Sequence, residues 1–483
     1  MQGICKTRKA SDDAIQNMLT PKKIMNIRDR FTRVSDSKNY LRVVDGVVAL
    51  QIALLVLSLL YIHTVLFFVC LKSLLAISIV RIFLERTNKD KYWPLDWLVV
   101  VPGVWAAIYG FYNGNIGAKN ELAVFVMAPI VYLLIFLRPA PSLLKHMELS
   151  LKVIGALNLL VFFFLYFTES GSLYSLLKDA TAFRIQYPEG YIKVNTLQVT
   201  PLIFLLPVLA GYYYFRQTFL NFVLITAAIL MALLSGRKAV LLLFIALVVF
   251  GLLYHLYRYR NLKVALKLTL PCLLALIIFP QIATFDNSKF SGVLFDSFSG
   301  PDGLVIRGGI GAPAKSSADE KATFLHLYNL PSNVCALENY LSAGIEPNKL
   351  GPALRSAQMN TLRKEISVRP FFGSGIGYVS ADCIRSEQQP WRFELSYLAM
   401  TLNIGIVGMA IFVLVYLRWV KIALKGSISR QMTVPLVCGS IFFLICSASN
   451  PYILSVEYLW IYFIPFLLSR LVHGRSVADL PLP

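Results

Sequence analysis

Charged residues are scarce in this chain of 483 residues: they make up 15% of it, against 57% hydrophobic residues. Soluble domains carry about a quarter charged residues, so this scarcity argues against a soluble globular protein. The five histidines are scattered through the chain and give no metal-ligand spacing, so we expect no metal site. We find no Ser-His-Asp order and no nucleotide-binding phosphate loop, and we expect no cofactor.

Long apolar runs dominate the chain instead. A membrane-crossing helix needs about 20 apolar residues. On that basis the sequence predicts an all-α polytopic membrane protein with about twelve transmembrane helices and no transporter-like pair of broken helices. The first two predicted helices are divided near residues 61–64 on length alone. The predicted spans are 47–64, 65–84, 96–112, 121–137, 151–167, 199–215, 218–234, 238–257, 265–284, 393–417, 433–449 and 452–469.

The distribution of Lys and Arg predicts the orientation of these spans. With the N-terminus inside, the inner segments hold 28 basic and 10 acidic residues, whereas the outer segments hold 17 and 16. Because basic residues collect in cytoplasmic loops, we expect both termini in the cytoplasm. The formal net charge of +20 then reflects topology and contact with anionic membrane lipid, and it requires no nucleic-acid partner.

One mostly polar segment, 286–392, interrupts the series of spans. The predicted organisation is a basic tail over 1–46, nine helices over 47–285, this large outer loop domain, three helices over 393–470 and a second tail over 471–483. Within the loop domain the pattern predicts helices near 316–329 and 352–367. Cys335 and Cys383 also lie there and could form a disulfide if the compartment is oxidising.

Arg237 and Lys238 are placed by these spans in a very short outer loop, against the charge rule. One interpretation is that both side chains neutralise a helix end or extend to the membrane surface. The other is an anion site, because a guanidinium presents a planar fork of donors that suits phosphate. We favour the anion site, since a purely connecting loop would use Ser or Asn at lower cost.

Glu394 opens the tenth predicted span, next to Trp391 and Arg392. A carboxylate at an apolar boundary loses hydration, which favours proton uptake and suits a general base. The alternative is a structural charge at a helix N-terminus, or a partner of Arg392.

Arg369 precedes Pro370 and a run of glycines, Gly373, Gly375 and Gly377. A nucleotide-binding loop is not supported here, because no strand precedes these glycines. Glycine allows close approach of the backbone, so we expect the run either beside a ligand or in a tight turn into the membrane. Arg369 is the arginine of the loop domain that we add to the candidate site.

Four features taken in chain order resemble the O-antigen polymerase and ligase family, with the resemblance covering roughly 200–470. They are Ser235-Gly236-Arg237-Lys238 with Leu241, the large outer loop, the Arg369 to Gly377 run, and Glu394-Leu395-Ser396-Tyr397-Leu398 with Gly405 and Gly408. The resemblance implies a metal-independent glycosyltransferase of the GT-C type in the bacterial inner membrane. Its large loop would be periplasmic, and its substrates would be sugars linked to undecaprenyl diphosphate.

The resemblance also implies residue roles. Arg237 would bind the diphosphate, and Glu394 would be the candidate base at a position where the ligase branch has histidine. That difference favours a Wzy-type polymerase, in which donor and acceptor are both lipid-linked repeat units and a chain-length regulator is a further conceivable partner. Transfer to lipid A-core by a ligase and transport by a flippase stay open. The candidate substrate-binding residues are Lys238, Arg369, Gly373, Gly375, Gly377, Arg392 and Tyr397.

Overall fold

The computed structural model describes most of the helical part of the chain. The described residues are 38–60, 64–84, 93–140, 142–168, 171–181, 184–186, 193–195, 197–235, 262–282, 347–380, 389–426, 429–448 and 451–474, with a few positions between 244 and 257. Arg237, Lys238, Cys335, Cys383 and the helix predicted near 316–329 lie outside this part, so their roles remain predictions.

Most of the described chain is helical, and its described strands form one short ladder, in which β1 (Arg184–Gln186) pairs antiparallel with β2 (Lys193–Asn195). Short 3-10 segments lie at Trp97–Val99 and Pro451–Leu454, and a π-helical segment lies at Ala123–Met127. The helices are α1 (Lys38–Leu59), α2 (Thr64–Leu84), α3 (Trp93–Asp96), α4 (Val101–Tyr112), α5 (Ala118–Leu122), α6 (Ala128–Phe136), α7 (Leu143–Phe167), α8 (Ser172–Thr181), α9 (Val199–Phe215), α10 (Phe219–Leu234), α11 (Leu262–Ile282), α12 (Pro347–Val368), α13 (Ser396–Lys425), α14 (Arg430–Ser447), α15 (Val456–Leu459) and α16 (Ile464–Gly474).

Among the described residues, six helical segments are long and apolar enough to cross a membrane, as expected of a helical membrane protein. Four further apolar helices are shorter, and most of the span predicted at 238–257 lies outside the described residues. Twelve crossings therefore stay a prediction. The six segments are Val65–Ile82, Pro94–Tyr112, Ala118–Phe136, Leu143–Phe167, Ser396–Lys425 and Arg430–Ser447.

Several predicted boundaries agree with the structure. α1 ends at Leu59 and α2 begins at Thr64, which confirms the division near residues 61–64. The helix predicted at 352–367 is confirmed as part of α12. α1 begins at Lys38, inside the segment predicted as the N-terminal tail.

Two of the predicted spans contain a backbone break that the sequence pattern did not predict. α13 is interrupted at Gly405, which has φ 71° and ψ 175°. The last predicted span, 452–469, is divided between the 3-10 segment, α15 and α16. Hydropathy along a continuous apolar run does not report a backbone break, and glycine adopts such a conformation at little steric cost.

Close helix packing in the core depends on small residues. A Cβ on Gly211 in α9 would lie 2.8 Å from the Pro435 side chain of α14, and one on Gly439 would lie 2.5 Å from Val208. Lipid tails are as apolar as leucine, so helices in membranes associate through close packing of this kind. α9 and α14 therefore form the tightly packed centre that supports the neighbouring helices.

A buried network of charges around Asp96 joins three segments of the chain. Asp96 is 3% exposed and accepts hydrogen bonds from Arg418 Nη1 at 2.6 Å, from Trp419 Nε1 at 2.8 Å and from Arg470. These residues come from three segments that the predicted spans assign to the same, inner side. The network compensates a buried carboxylate that would otherwise be costly.

Candidate functional site

The segment 369–377, here called the glycine loop, lies against the break in α13. Breaking a helix leaves backbone N–H and C=O groups without partners. In a membrane, each unpaired group costs roughly several kcal/mol. The glycine loop pairs such groups on both sides of Gly405. The four bonds run from Ser374 N–H to Leu402 C=O (2.6 Å), Gly375 N–H to Asn403 C=O (3.2 Å), Ile406 N–H to Pro370 C=O (2.8 Å) and Val407 N–H to Phe371 C=O (3.1 Å).

The three glycines of the loop all have positive φ: 76° at Gly373, 84° at Gly375 and 70° at Gly377. A Cβ on Gly375 would lie 2.5 Å from the backbone nitrogen of Gly110, and a Cβ on Gly377 would overlap the backbone at Ala118. The close approach expected from the sequence is therefore made to the protein's own backbone. These glycines shape the loop through this packing, and their contact with a substrate stays a prediction.

A second set of bonds holds the glycine loop to α4 and the turn after it. The N–H of Ile376 donates to the Ala106 carbonyl at 2.9 Å. The Asn115 side chain donates to the carbonyls of Ser374 at 3.1 Å and Ile376 at 3.0 Å. With the Gly117 N–H bonded to the Gly377 carbonyl at 3.1 Å, the loop is fixed from both sides.

Arg369 lies at the start of this fixed loop and is exposed. Its guanidinium carbon is 5.3 Å from the centroid of the Tyr109 ring, a distance that allows a cation–π interaction. Tyr109 stacks on Trp105 with centroids 6.4 Å apart, and Trp105 contacts Phe372 at 5.7 Å. Phe371 is exposed as well. We call Trp105, Tyr109, Phe371 and Phe372 the aromatic rim; it places one cation beside an exposed apolar surface.

Glu394 is one-quarter exposed and is bound to α12. Its Oε2 accepts a hydrogen bond from Arg355 Nε at 3.0 Å, and its backbone N–H donates to Gln358 Oε1 at 3.1 Å. The proposed pairing with Arg392 is therefore not the one that forms. Arg355 compensates the negative charge of Glu394. The position of Glu394 in the sequence, at an apolar boundary, had suggested an uncompensated carboxylate.

Arg392 and Tyr397 also have protein partners. Glu121, which is 4% exposed, accepts hydrogen bonds at Oε1 from Trp391 Nε1 at 3.0 Å and from Arg392 Nε at 3.2 Å. The Tyr397 hydroxyl donates to the Leu444 carbonyl of α14. Both candidate substrate-binding side chains therefore join helices in this structure.

The structure does not bring Glu394 and Arg369 together. Arg355, the partner of Glu394, lies nearly four helical turns before Arg369 along α12, which corresponds to about 20 Å. The two groups cannot both contact one reacting atom across that distance.

Sequence reasoning missed Glu365, one helical turn before Arg369. Its Oε2 accepts a hydrogen bond from the Tyr378 hydroxyl at 2.9 Å, and its Oε1 accepts one from Ser380 Oγ at 3.3 Å. The available signal was the four-residue spacing between Glu365 and Arg369, which would place both on one face if the helix continued to Arg369; α12 ends one residue earlier, at Val368.

No protein-family model, curated protein sequence or solved structure matches this chain.

Proposed function

We propose that this protein is a glycosyltransferase that polymerises undecaprenyl-diphosphate-linked oligosaccharide repeat units at the periplasmic face of the bacterial inner membrane. The observation that carries the proposal is Arg369, held on Tyr109 at the exposed aromatic rim. A lipid-linked sugar diphosphate combines an apolar tail with an anionic group. An exposed cation set among aromatic side chains offers a surface for each of these parts.

The reaction would join an acceptor hydroxyl to the anomeric carbon of the donor sugar. The bond from that carbon to the diphosphate breaks, and the electron pair leaves with the diphosphate. Guanidinium groups aimed at the departing oxygen stabilise the charge that develops there. Arg237 is the main candidate for this role by resemblance, with Lys238 assisting. Arg369, about 20 Å from Arg355, would hold the diphosphate of a bound lipid-linked unit away from the reacting carbon. No further energy source is required because the donor is already activated.

Glu394 remains the base that the resemblance implies. Its position beside Arg355 means that it would act on an acceptor bound near the start of α13, away from Arg369. The role of Arg369 in binding a lipid-linked diphosphate and the base role of Glu394 are therefore separable, and each can be tested by one substitution.

A lipid-linked oligosaccharide transporter is the second candidate, because the break in α13 resembles the discontinuous helices that bind substrates in transporters. In those sites the freed backbone groups face the ligand. Here the glycine loop occupies four such groups around Gly405 through its own backbone. This pairing favours a structural use of the break, so we rank transport below glycosyl transfer.

The deciding experiment is an assay of the purified protein with lipid-diphosphate-linked repeat units in liposomes. A ladder of polymer sizes without added core lipid supports a polymerase, whereas attachment to added lipid A-core identifies a ligase. Movement of intact lipid-linked units across the bilayer without new glycosidic bonds would refute the proposal in favour of transport.

Two arginine-to-alanine variants, one in α12 and one directly after it, provide a matched comparison of activity. Arg369→Ala should reduce polymer formation by about tenfold or more, because a charge-assisted hydrogen bond to phosphate is lost. Arg363→Ala removes an exposed arginine from the same helix and should leave activity unchanged. Equal activity in the two variants would argue against Arg369 as a substrate ligand.

A further inference from the structure

Glu365 and Arg369 are opposite charges that the chain places side by side without joining them. Glu365 lies in the last turn of α12, and Arg369 directly follows its last residue, with its N–H bonded to the Ile366 carbonyl at 3.1 Å. An acid and a base about one helical turn apart commonly pair. Among the ion pairs of the described residues, neither side chain takes part. Arg369 lies instead on the Tyr109 ring, and Glu365 is bound by two hydroxyl groups.

The hydroxyl partners fix the Glu365 carboxylate without neutralising it. Ser380 is fully buried, and Tyr378 directly follows Gly377, whose carbonyl is bonded to the turn after α4. A carboxylate can accept about four hydrogen bonds, and Tyr378 and Ser380 supply two. Glu365 is only partly buried, so the remaining lone pairs are open to a further donor.

We infer that Glu365 and Arg369 form one binding site for a glycosyl diphosphate at the C-terminal end of α12. Arg369 donates to the diphosphate oxygens, and Glu365 accepts a hydrogen bond from a hydroxyl of the attached sugar. This inference rests on the proposed function for its substrate class, although the site itself needs no catalysis. The C-terminal end of α12 carries partial negative charge, so the attraction for the anion comes from the Arg369 side chain and not from the helix end.

Arg369 is assigned to the diphosphate of the ligand and Glu365 to its sugar, so binding measurements with and without the sugar separate the two roles. The probes are undecaprenyl diphosphate and undecaprenyl diphosphate carrying N-acetylglucosamine, each titrated against the purified full chain in detergent. Glu365→Gln should weaken the glycosylated probe by about tenfold, because the sugar hydroxyl then donates to a neutral amide oxygen, a weaker acceptor than a carboxylate, and it should not weaken the bare diphosphate. Arg369→Ala should weaken both probes.

Two further variants guard against unfolding as an explanation. Tyr378→Phe keeps the carboxylate but removes one of its positioning hydroxyls, so it should cause a smaller loss for the glycosylated probe alone. Asp179→Asn makes the same carboxylate-to-amide change as Glu365→Gln at an exposed position of α8, and should change neither affinity.

The outcomes distinguish this inference from the proposed function. If Glu365→Gln leaves both probe affinities unchanged, or lowers both equally, the role of Glu365 is overturned, even if the wild-type protein forms glycosidic bonds. If the wild type binds neither probe, the whole site is overturned. If binding follows the expected pattern but the wild type forms no glycosidic bond, the site stands and the transferase proposal fails.

Discussion

Replacing Gly405 with alanine should uncouple the glycine loop from α13. At φ 71° and ψ 175° the backbone of Gly405 adopts a conformation that is essentially restricted to glycine. A Cβ there would also overlap the carbonyl oxygen of Phe371, which accepts the Val407 N–H. The substitution therefore strains the backbone and forces the loop away from the helix.

The expected cost follows from these two effects. Backbone strain contributes about 1–3 kcal/mol, and losing the bonds from Ile406 and Val407 to the loop contributes about 1 kcal/mol each, so unfolding should become easier by roughly 3–5 kcal/mol. Glycosyl transfer should fall as well, because Arg369 would lose its fixed position. Denaturant unfolding in detergent micelles and the transfer assay measure the two effects.

Gly46→Ala provides the matched control. Gly46 lies in α1, and a Cβ there would meet no atom within 4 Å. Alanine in a helix is about 0.5–1 kcal/mol more favourable than glycine, so this variant should be slightly more stable than the wild type. If Gly405→Ala were as stable and as active as Gly46→Ala, the structural role given to the glycine loop would be refuted.

Two further predictions concern charges. Asp96→Asn should destabilise the protein by about 3–5 kcal/mol, because Arg418 and buried Arg470 lose their shared carboxylate; unfolding in detergent checks this, and a change below about 1 kcal/mol would contradict it. Arg237→Ala and Glu394→Gln should each abolish polymer formation while the protein still inserts, as judged by the size ladder and by membrane fractionation. Normal chain lengths in both variants would refute these site assignments.

The sequence predicted those parts of the fold that depend on local pattern. The division between α1 and α2 follows from the length of the apolar run. The helix predicted at 352–367 follows from apolar residues at helical spacing. The glycines at 373, 375 and 377 were expected to allow close backbone approach, and a Cβ on any of them would lie within 2.5 Å of a neighbouring backbone atom. Each of these features is set by residues near one another in the chain.

The contacts between distant segments could not be predicted in the same way. Glu394 pairs with Arg355, 39 positions away, because α12 lies beside the start of α13. The sequence alone offered adjacent Arg392, which instead contacts Glu121 across 271 positions. Ion pairs depend on which helices become neighbours, and neither hydropathy nor charge counts contain that information.

The glycine loop separates the residues that maintain the fold from those that are open to a ligand. Its attachment to α4 and α13 uses backbone groups and glycine positions, which are required because unpaired backbone groups are costly at membrane depth. The side chains of Arg369, Phe371 and Phe372 remain exposed and form none of these bonds. A loop that needed only to fill the break could carry other side chains there. The combination of a fixed backbone with an exposed cation and aromatic groups therefore favours recognition of an amphiphilic anion.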